Sequence, residues 1–191
     1  MRRKQAGDLA AIAMLLGIMI VLQLLSNIVF SLFPLPIKPT IIHIPVIIGA
    51  ILYGPRVGSS LGFMMGMMSL ISNSLVPTPT SYLFSPLVPG GSFNSLLVAF
   101  IPRILIGIIP YFVYKILHNR IGLALAGFLG SLTNTVFVLT GIFFLFGSVF
   151  QGDITKLLAA VIATNSLWEM GLAAFLTAAI VPSLEKILKK K

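Results

Sequence analysis

Long apolar runs are the feature that most constrains the fold of this chain. A helix needs about 20 apolar residues to cross the ~30 Å hydrocarbon core of a bilayer, and residues 9–33 exceed that length without one charged side chain. Only 9% of the 191 residues are charged, whereas a soluble domain has about 25%. These observations exclude an ordinary soluble protein and predict an all-α integral membrane protein that forms one domain over residues 1–191.

The breaks between the apolar runs predict six membrane-spanning helices. The proline-rich "PLPIKPT" and the uncharged "PTPTSYLFSPLVPGGSFN" predict two outer loops, at 34–40 and 77–94. The second helix is short, because residues 41–53 cover only about 20 Å at a rise of 1.5 Å per residue. The expected helices are 9–33, 41–53, 57–76, 95–117, 121–150 and 157–184.

Positive charge predicts the orientation of these helices. With six spans, ten of the 13 basic residues fall on the side of the N-terminus and two on the other side, while Arg103 lies inside the membrane. Five spans would move the C-terminal lysines across, so the positive-inside rule favours six spans with cytoplasmic N- and C-termini. The formal net charge of +9 therefore indicates membrane orientation, and no nucleic-acid partner is expected.

Several polar residues lie where hydrocarbon is expected. Ionisable residues within a membrane mark functional sites by default, and Arg103 and Glu169 are two of them. Counting along the helices places both, together with Asn134, between the outer third of the membrane and its midplane. Further candidates at the outer helix ends or beside Glu169 are His43, Asn73, Asn94, Asn165 and Trp168. This set predicts a ligand-binding cavity in the outer half of the bundle.

Other interpretations of these residues stay open. Arg103 and Glu169 could form a buried ion pair that locks two helices of a structural protein together, or the gate of an autonomous carrier. Asn134 could serve only as a hydrogen bond between helices, and His43 as an interfacial residue. Catalysis is not expected, because the chain has no cysteine, no phosphate-binding loop and no zinc motif, and no cofactor or metal is expected either.

Small residues on the first helix form pairs four positions apart. Ala6 and Ala10 form one pair, and Ala13 and Gly17 form the next. Such pairs let two helix backbones approach closely. They predict either packing inside this chain or a flat face for a partner helix.

Four short motifs resemble one family of membrane proteins. They are "HIPVIIGAILYGPRVGSSLGFMMG" (43–66), "FIPRILIG" (100–107), "GSLTNTVF" (130–137) and "NSLWEMG" (165–171). With the alanine-rich first helix after a basic tail, they resemble the substrate-binding S components of energy-coupling factor (ECF) vitamin transporters. Among those components, the chain is most similar to the pantothenate-specific type.

The resemblance implies a transport subunit in the plasma membrane of a prokaryote. Such a subunit binds a vitamin in an outward pocket, docks on a transmembrane coupling protein with two ATPases, and topples in the membrane to release the vitamin. Its docking face would be the pairs Ala6/Ala10 and Ala13/Gly17. The resemblance also implies that ATP hydrolysis belongs to the partner ATPases, so that the chain itself is not an enzyme.

Pantothenate would match the polar residues as follows. Arg103 would meet its carboxylate, Asn134 and Asn165 its amide or hydroxyls, and Glu169 its hydroxyls, while Trp168 would pack against its methyl groups. An S component for another vitamin, such as riboflavin or folate, remains the alternative within the family.

Overall fold

The computed structural model describes residues 2–32, 41–147 and 166–189. Within these ranges the chain forms α-helices and one 3₁₀ helix and no β-strand, so the all-α prediction is confirmed for this part of the chain. The α-helices are α1 (Arg2–Leu32), α2 (His43–Tyr53), α3 (Pro55–Leu75), α4 (Phe93–Ile106), α5 (Ile109–Ile116), α6 (Arg120–Phe146) and α7 (Leu167–Lys189), and the 3₁₀ helix covers Ser81–Leu83.

Four segments in these ranges are long and apolar enough to cross a membrane. They are Ala6–Ile28, Phe93–Ile116, Arg120–Phe146 and Leu167–Leu188. The shorter apolar helix His43–Tyr53 and the 21-residue α3 lie between the first and the second of them. The structure is thus that of a multi-span helical protein, and six spans with both termini in the cytoplasm stay a prediction.

The α2 helix is short because a turn ends it after 11 residues. Gly54 follows it with φ of 93°, a conformation that only glycine adopts readily, and donates its N–H to the Ala50 carbonyl at 3.0 Å. Pro55 then begins α3, where a missing N–H does no harm. Nine of the 11 residues of α2 are buried, as expected for a helix that is apolar all round.

The segment that the sequence predicts as one helix over 95–117 consists of two helices. Pro110 has no N–H for the carbonyl four residues before it, so the helix cannot run through unchanged. The N–H groups of Gly107 and Ile108 bond instead to Ile104 and Leu105, three residues back, at 3.0 Å each. The break between α4 and α5 follows from the position of this proline.

Glycines bring the backbones of α3 and α4 into contact. A Cβ atom at Gly62 would collide with the carbonyl oxygen of Arg103, and one at Gly58 would collide with that of Gly107. Lipid supplies no hydrophobic drive between helices, so close backbone packing of this kind holds membrane bundles together. The packing also fixes where the backbone of Arg103 lies.

Candidate ligand-binding site

The uncharged loop over residues 77–92 is tied to the helix ends beneath it. The Ser81 hydroxyl donates a hydrogen bond to Oδ1 of Asn73 at 2.8 Å. The hydroxyls of Ser74 and Ser85 lie 2.8 Å apart. Because Ser81 and Ser85 are 1% and 0% exposed, these bonds replace water that the buried hydroxyls have lost.

Apolar side chains of the same loop pack between α4 and α6. Leu83 lies in a buried cluster with Val98, Ile142 and Phe146. The ring of Tyr82 stands edge-on to the ring of Phe146, with 6.0 Å between their centroids. The loop therefore covers one end of the helix bundle as a packed layer.

Arg103 lies under this loop and is 8% exposed. Its Nη1 donates a hydrogen bond to the carbonyl of Val98 at 2.6 Å, and its Cζ lies 5.1 Å from the centroid of the Phe84 ring. Its Nε is buried and has no hydrogen-bond partner among the residues that the structure describes. A carbonyl and a ring both stabilise the guanidinium, and neither neutralises its charge.

Close contacts fix how α4 and α5 lie against α6. A Cβ at Gly141 would lie 3.1 Å from a methyl group of Val98, and a Cβ at Gly130 would lie 2.8 Å from Cγ of Pro110. From the first contact to the second, the residue number rises from Val98 to Pro110 on α4 and α5 but falls from Gly141 to Gly130 on α6. The helices are therefore antiparallel, with a defined register between them.

This register brings Asn134 to the depth of Arg103. Interpolation between the two contacts places these residues within about three positions of each other along the bundle, or ~4 Å at 1.5 Å per residue. Asn134 is seven residues before Gly141, on the same face of α6. Its Oδ1 is buried without a hydrogen-bond partner in the described part of the chain, so an acceptor is available at the depth of the guanidinium.

A second register, between α6 and α7, brings Glu169 to the same depth. A Cβ at Gly127 would collide with the carbonyl of Ala173 and would lie 2.8 Å from Oγ1 of Thr177. Asn134 lies two turns after Gly127 on α6, and the same distance back from Ala173 and Thr177 on α7 leads to residues 166–170, which include Glu169. Glu169 is 6% exposed. The structure thus brings a guanidinium, an amide and a carboxylate to one level of the bundle.

The other predicted site residues lie in different surroundings. His43 is fully buried at the first turn of α2. Asn73 donates to the Ser69 carbonyl at 2.8 Å and accepts from the loop, which makes it a loop anchor. Asn94 is half-buried in the first turn of α4. Trp168 is 81% exposed, and Asn165 lies outside the described residues.

Sequence reasoning did not identify three further groups, two of them at Arg103 and one beside Asn134. Phe84 comes from the loop, and no pattern in the sequence indicates which loop side chain meets the guanidinium. Ser131 is 1% exposed, one turn from Asn134, and its Oγ has no hydrogen-bond partner within the described ranges. That the Val98 carbonyl lacks its helical N–H donor could have been predicted from the sequence, because Pro102, four residues later, has no N–H.

A cleft of about 280 Å³ lies at the other end of the bundle. It is lined by Ile51, Leu52, His118, Glu185 and Leu188. The Tyr114 hydroxyl donates to Oε1 of Glu185 at 3.1 Å, so this carboxylate has a partner in the chain. Glu185 is 16 residues after Glu169 on α7, roughly 24 Å away, and the cleft is separate from the level of Arg103.

The predicted stripe of small residues on α1 points away from the bundle. In the structure its members are all exposed: Ala6, Ala10, Ala13 and Gly17. The residues of α1 that face the bundle are Ala11, Leu15 and Met19, each at most 5% exposed. Of the two interpretations made from the sequence, packing inside this chain does not describe the stripe.

The level of Arg103, Asn134 and Glu169 is suited to one class of ligand. A planar guanidinium with open N–H groups binds a carboxylate or another planar anion. An amide oxygen and a carboxylate nearby accept hydrogen bonds from hydroxyl or amide groups. The apolar helices around them exclude water and strengthen each contact.

Comparison with known proteins gives matches over most of the chain. A family model described as the ECF transporter, substrate-specific component, matches residues 8–181. The chain is 50% identical over 191 residues to the "Pantothenic acid transporter PanT" of Lactococcus lactis subsp. cremoris, with 97% of each chain covered. It is 33% identical over 157 residues to the "Pantothenate transporter PanT" of Leuconostoc mesenteroides subsp. mesenteroides, covering 75% of this chain and 73% of that protein. The family match includes the positions of Arg103, Asn134 and Glu169.

Proposed function

Since this chain belongs to the family of substrate-specific components of ECF transporters, we propose that it binds pantothenate and delivers it to a transport complex. The family makes it a multi-pass membrane protein of a prokaryote and a transporter component rather than an enzyme. Two relatives are named as transporters of pantothenic acid or pantothenate, which supports the choice of this vitamin over riboflavin or folate.

The level of the bundle that holds Arg103, Asn134 and Glu169, which we call the polar level, supports the same ligand. Pantothenate carries a carboxylate, an amide and two hydroxyls beside two methyl groups. The carboxylate pairs with Arg103, whose Nε has no other partner among the described residues. A hydroxyl or the amide N–H donates to Asn134, and Glu169 accepts from a hydroxyl. The observation that carries the proposal is the buried guanidinium, which a backbone carbonyl and an aromatic ring contact without neutralising its charge.

The two ends of the helix bundle differ in charge, and this difference supports one orientation of the protein in the membrane. The turns and helix ends on the side away from the 77–92 loop carry Arg56, Lys115, Arg120 and Lys186. By the positive-inside rule this end faces the cytoplasm, so the loop and the polar level beneath it face outward. Pantothenate then enters from outside.

Delivery needs partners that this chain does not supply. We place the coupling protein on the exposed small-residue stripe of α1, where two backbones can approach. Two ATPases attached to that protein supply the energy, and the loaded subunit topples to release the vitamin inside. The outward direction of Ala6, Ala10, Ala13 and Gly17 supports this part of the proposal.

The bound molecule identifies the function directly. The protein is purified in detergent from cells grown with several vitamins, denatured, and the released small molecules are identified by mass spectrometry. Pantothenate should be recovered in about equimolar amount, and titration calorimetry of the emptied protein should detect pantothenate but neither riboflavin nor folate. Recovery of a different vitamin, or tight binding of riboflavin, would exclude the proposed ligand.

A further inference from the structure

Pro102 leaves a backbone carbonyl without its usual donor. In an α-helix the N–H of each residue bonds to the carbonyl four residues before it, and proline has no N–H. The carbonyl affected here is that of Val98, which is 1% exposed. Deep in a membrane no water replaces the missing donor, so an unsatisfied carbonyl is strongly destabilising.

Arg103 supplies the missing donor from the next position. Its Nη1 lies 2.6 Å from the Val98 oxygen, so a charged side chain satisfies an acceptor that the preceding residue made available. In a continuous helix this carbonyl would already accept the N–H of residue 102, and Arg103 would have to share the oxygen with that N–H.

The bond to Val98 orients the rest of the guanidinium. The group is planar, with five N–H donors in a fixed fork, so fixing one nitrogen and one face determines the direction of the others. Phe84 covers one face at 5.1 Å, and Gly62 holds the backbone of Arg103 against α3. The Nε side is left without a partner among the residues described.

We infer that Pro102 is a positioning residue of the ligand site: by removing one N–H from α4, it leaves the Val98 carbonyl to Arg103 alone, and this bond aims Arg103 at the ligand's carboxylate. The inference rests on the proposed function for the identity of the ligand. The orientation of the guanidinium is a property of the empty protein and is tested without any ligand.

The test compares three changes in the full-length protein. Pro102→Ala restores the N–H. A backbone ester at position 102, made by inserting the α-hydroxy analogue of alanine, has the same methyl side chain but no N–H. Pro110→Ala restores an N–H in the same span at another fully buried proline, away from Arg103, and serves as the matched control.

The first readout uses the ligand-free protein. Hydrogen bonding slows rotation of a guanidinium, so ¹⁵N-labelled arginine should give one set of resolved Nη proton signals, assigned to Arg103 by its loss in Arg103→Lys. The resolved Arg103 signals should disappear in Pro102→Ala, where an N–H competes for the Val98 carbonyl. They should persist in the ester variant and in Pro110→Ala, where no N–H is present at position 102. Persistence of the resolved signals in Pro102→Ala would overturn the inference.

The second readout is the selectivity for a carboxylate. The probes are pantothenate and pantothenol, in which an alcohol replaces the carboxylate. Pro102→Ala should lower the ratio of the two affinities about tenfold, the effect of one misdirected charge-assisted hydrogen bond, and the ester should restore the ratio. An equal loss for both probes would reduce Pro102 to a structural role. If the wild-type protein binds no pantothenate, the proposed function fails, while the arginine signals still decide the inference.

Discussion

At the scale of single residues, the partners of Arg103 determine what it can bind. An acidic partner would cancel its charge, whereas a carbonyl at 2.6 Å and a ring at 5.1 Å stabilise the guanidinium and leave its charge in place. In low-dielectric surroundings this charge attracts an anion far more strongly than it would in water. Such an arrangement favours binding of an anionic ligand over a permanent lock between helices.

Replacing Arg103 should therefore abolish binding without unfolding the protein. Arg103→Ala removes the charge and the bond to Val98, and the affinity for pantothenate should fall at least about 100-fold, as expected for a charged hydrogen-bonded contact. Calorimetry measures the affinity, and size-exclusion chromatography in detergent reports folding. Arg120→Ala, at the exposed start of α6, is the control. Undiminished binding by a monodisperse Arg103→Ala protein would contradict the assigned role.

The depth of the polar residues was predictable, but their directions were less so. Residue counts along apolar runs are enough to place Arg103, Asn134 and Glu169 at one level, because helix rise is constant. Neighbouring residues on a helix point about 100° apart, so the position of Trp168 next to the buried Glu169 is compatible with its being 81% exposed. Phe84 could not be assigned, because its contact depends on how the whole loop packs.

At the scale of helices, the contact between α3 and α4 carries the backbone of Arg103. A methyl group at Gly62 would overlap the carbonyl oxygen of Arg103 and lie 2.8 Å from its carbonyl carbon. Two backbones pressed together cannot yield as a flexible side chain would. The helices must separate if position 62 is enlarged.

Gly62→Ala should consequently destabilise the protein by about 1–3 kcal/mol, the usual effect of overpacking, and weaken pantothenate binding. Gly171→Ala makes the same change on α7, where a Cβ would meet nothing within 4 Å, and should be neutral or slightly stabilising because alanine favours helix. Melting temperatures in detergent and calorimetric affinities measure both effects. Equal behaviour of the two variants would show that the α3–α4 contact is not required.

The loop over residues 77–92 depends on a few buried hydroxyls. Ser81→Ala removes the bond to Asn73 and the acceptor for the Thr78 N–H at 2.8 Å. Loss of about 1 kcal/mol should speed amide hydrogen exchange across the loop roughly five-fold and shorten the residence time of pantothenate. Thr80→Ala changes an exposed residue of the same loop and should alter neither. Unchanged exchange rates in Ser81→Ala would contradict this account of how the loop is held.

Element boundaries were predictable where prolines and glycines interrupt the apolar runs. The turn at Gly54 and Pro55 follows from local chemistry, and α2 and α3 lie close to their expected positions. The break between α4 and α5 was missed, although Pro110 marks it, because hydropathy continues unchanged through the segment. An apolar run indicates that lipid or protein surrounds a helix. It does not indicate whether a backbone N–H is missing within that helix.

At the scale of the whole molecule, binding and docking use different surfaces. The polar level lies beneath the 77–92 loop, whereas the α1 stripe faces away from the bundle. Substitutions on one surface should leave the other intact. Ligand binding by the isolated chain and transport by the complete complex can therefore be separated experimentally.

Enlarging the α1 stripe should stop transport and preserve ligand binding. Ala10→Leu places a bulky side chain where we propose that a partner backbone approaches, so co-purification with the coupling protein and ATP-dependent pantothenate uptake in proteoliposomes should both fall at least ten-fold. Ala179→Leu makes the same change at an exposed position of α7 and should leave uptake intact. The affinity of each isolated variant for pantothenate should equal that of the wild type. If Ala10→Leu transported normally, the docking face would have to lie elsewhere on the bundle.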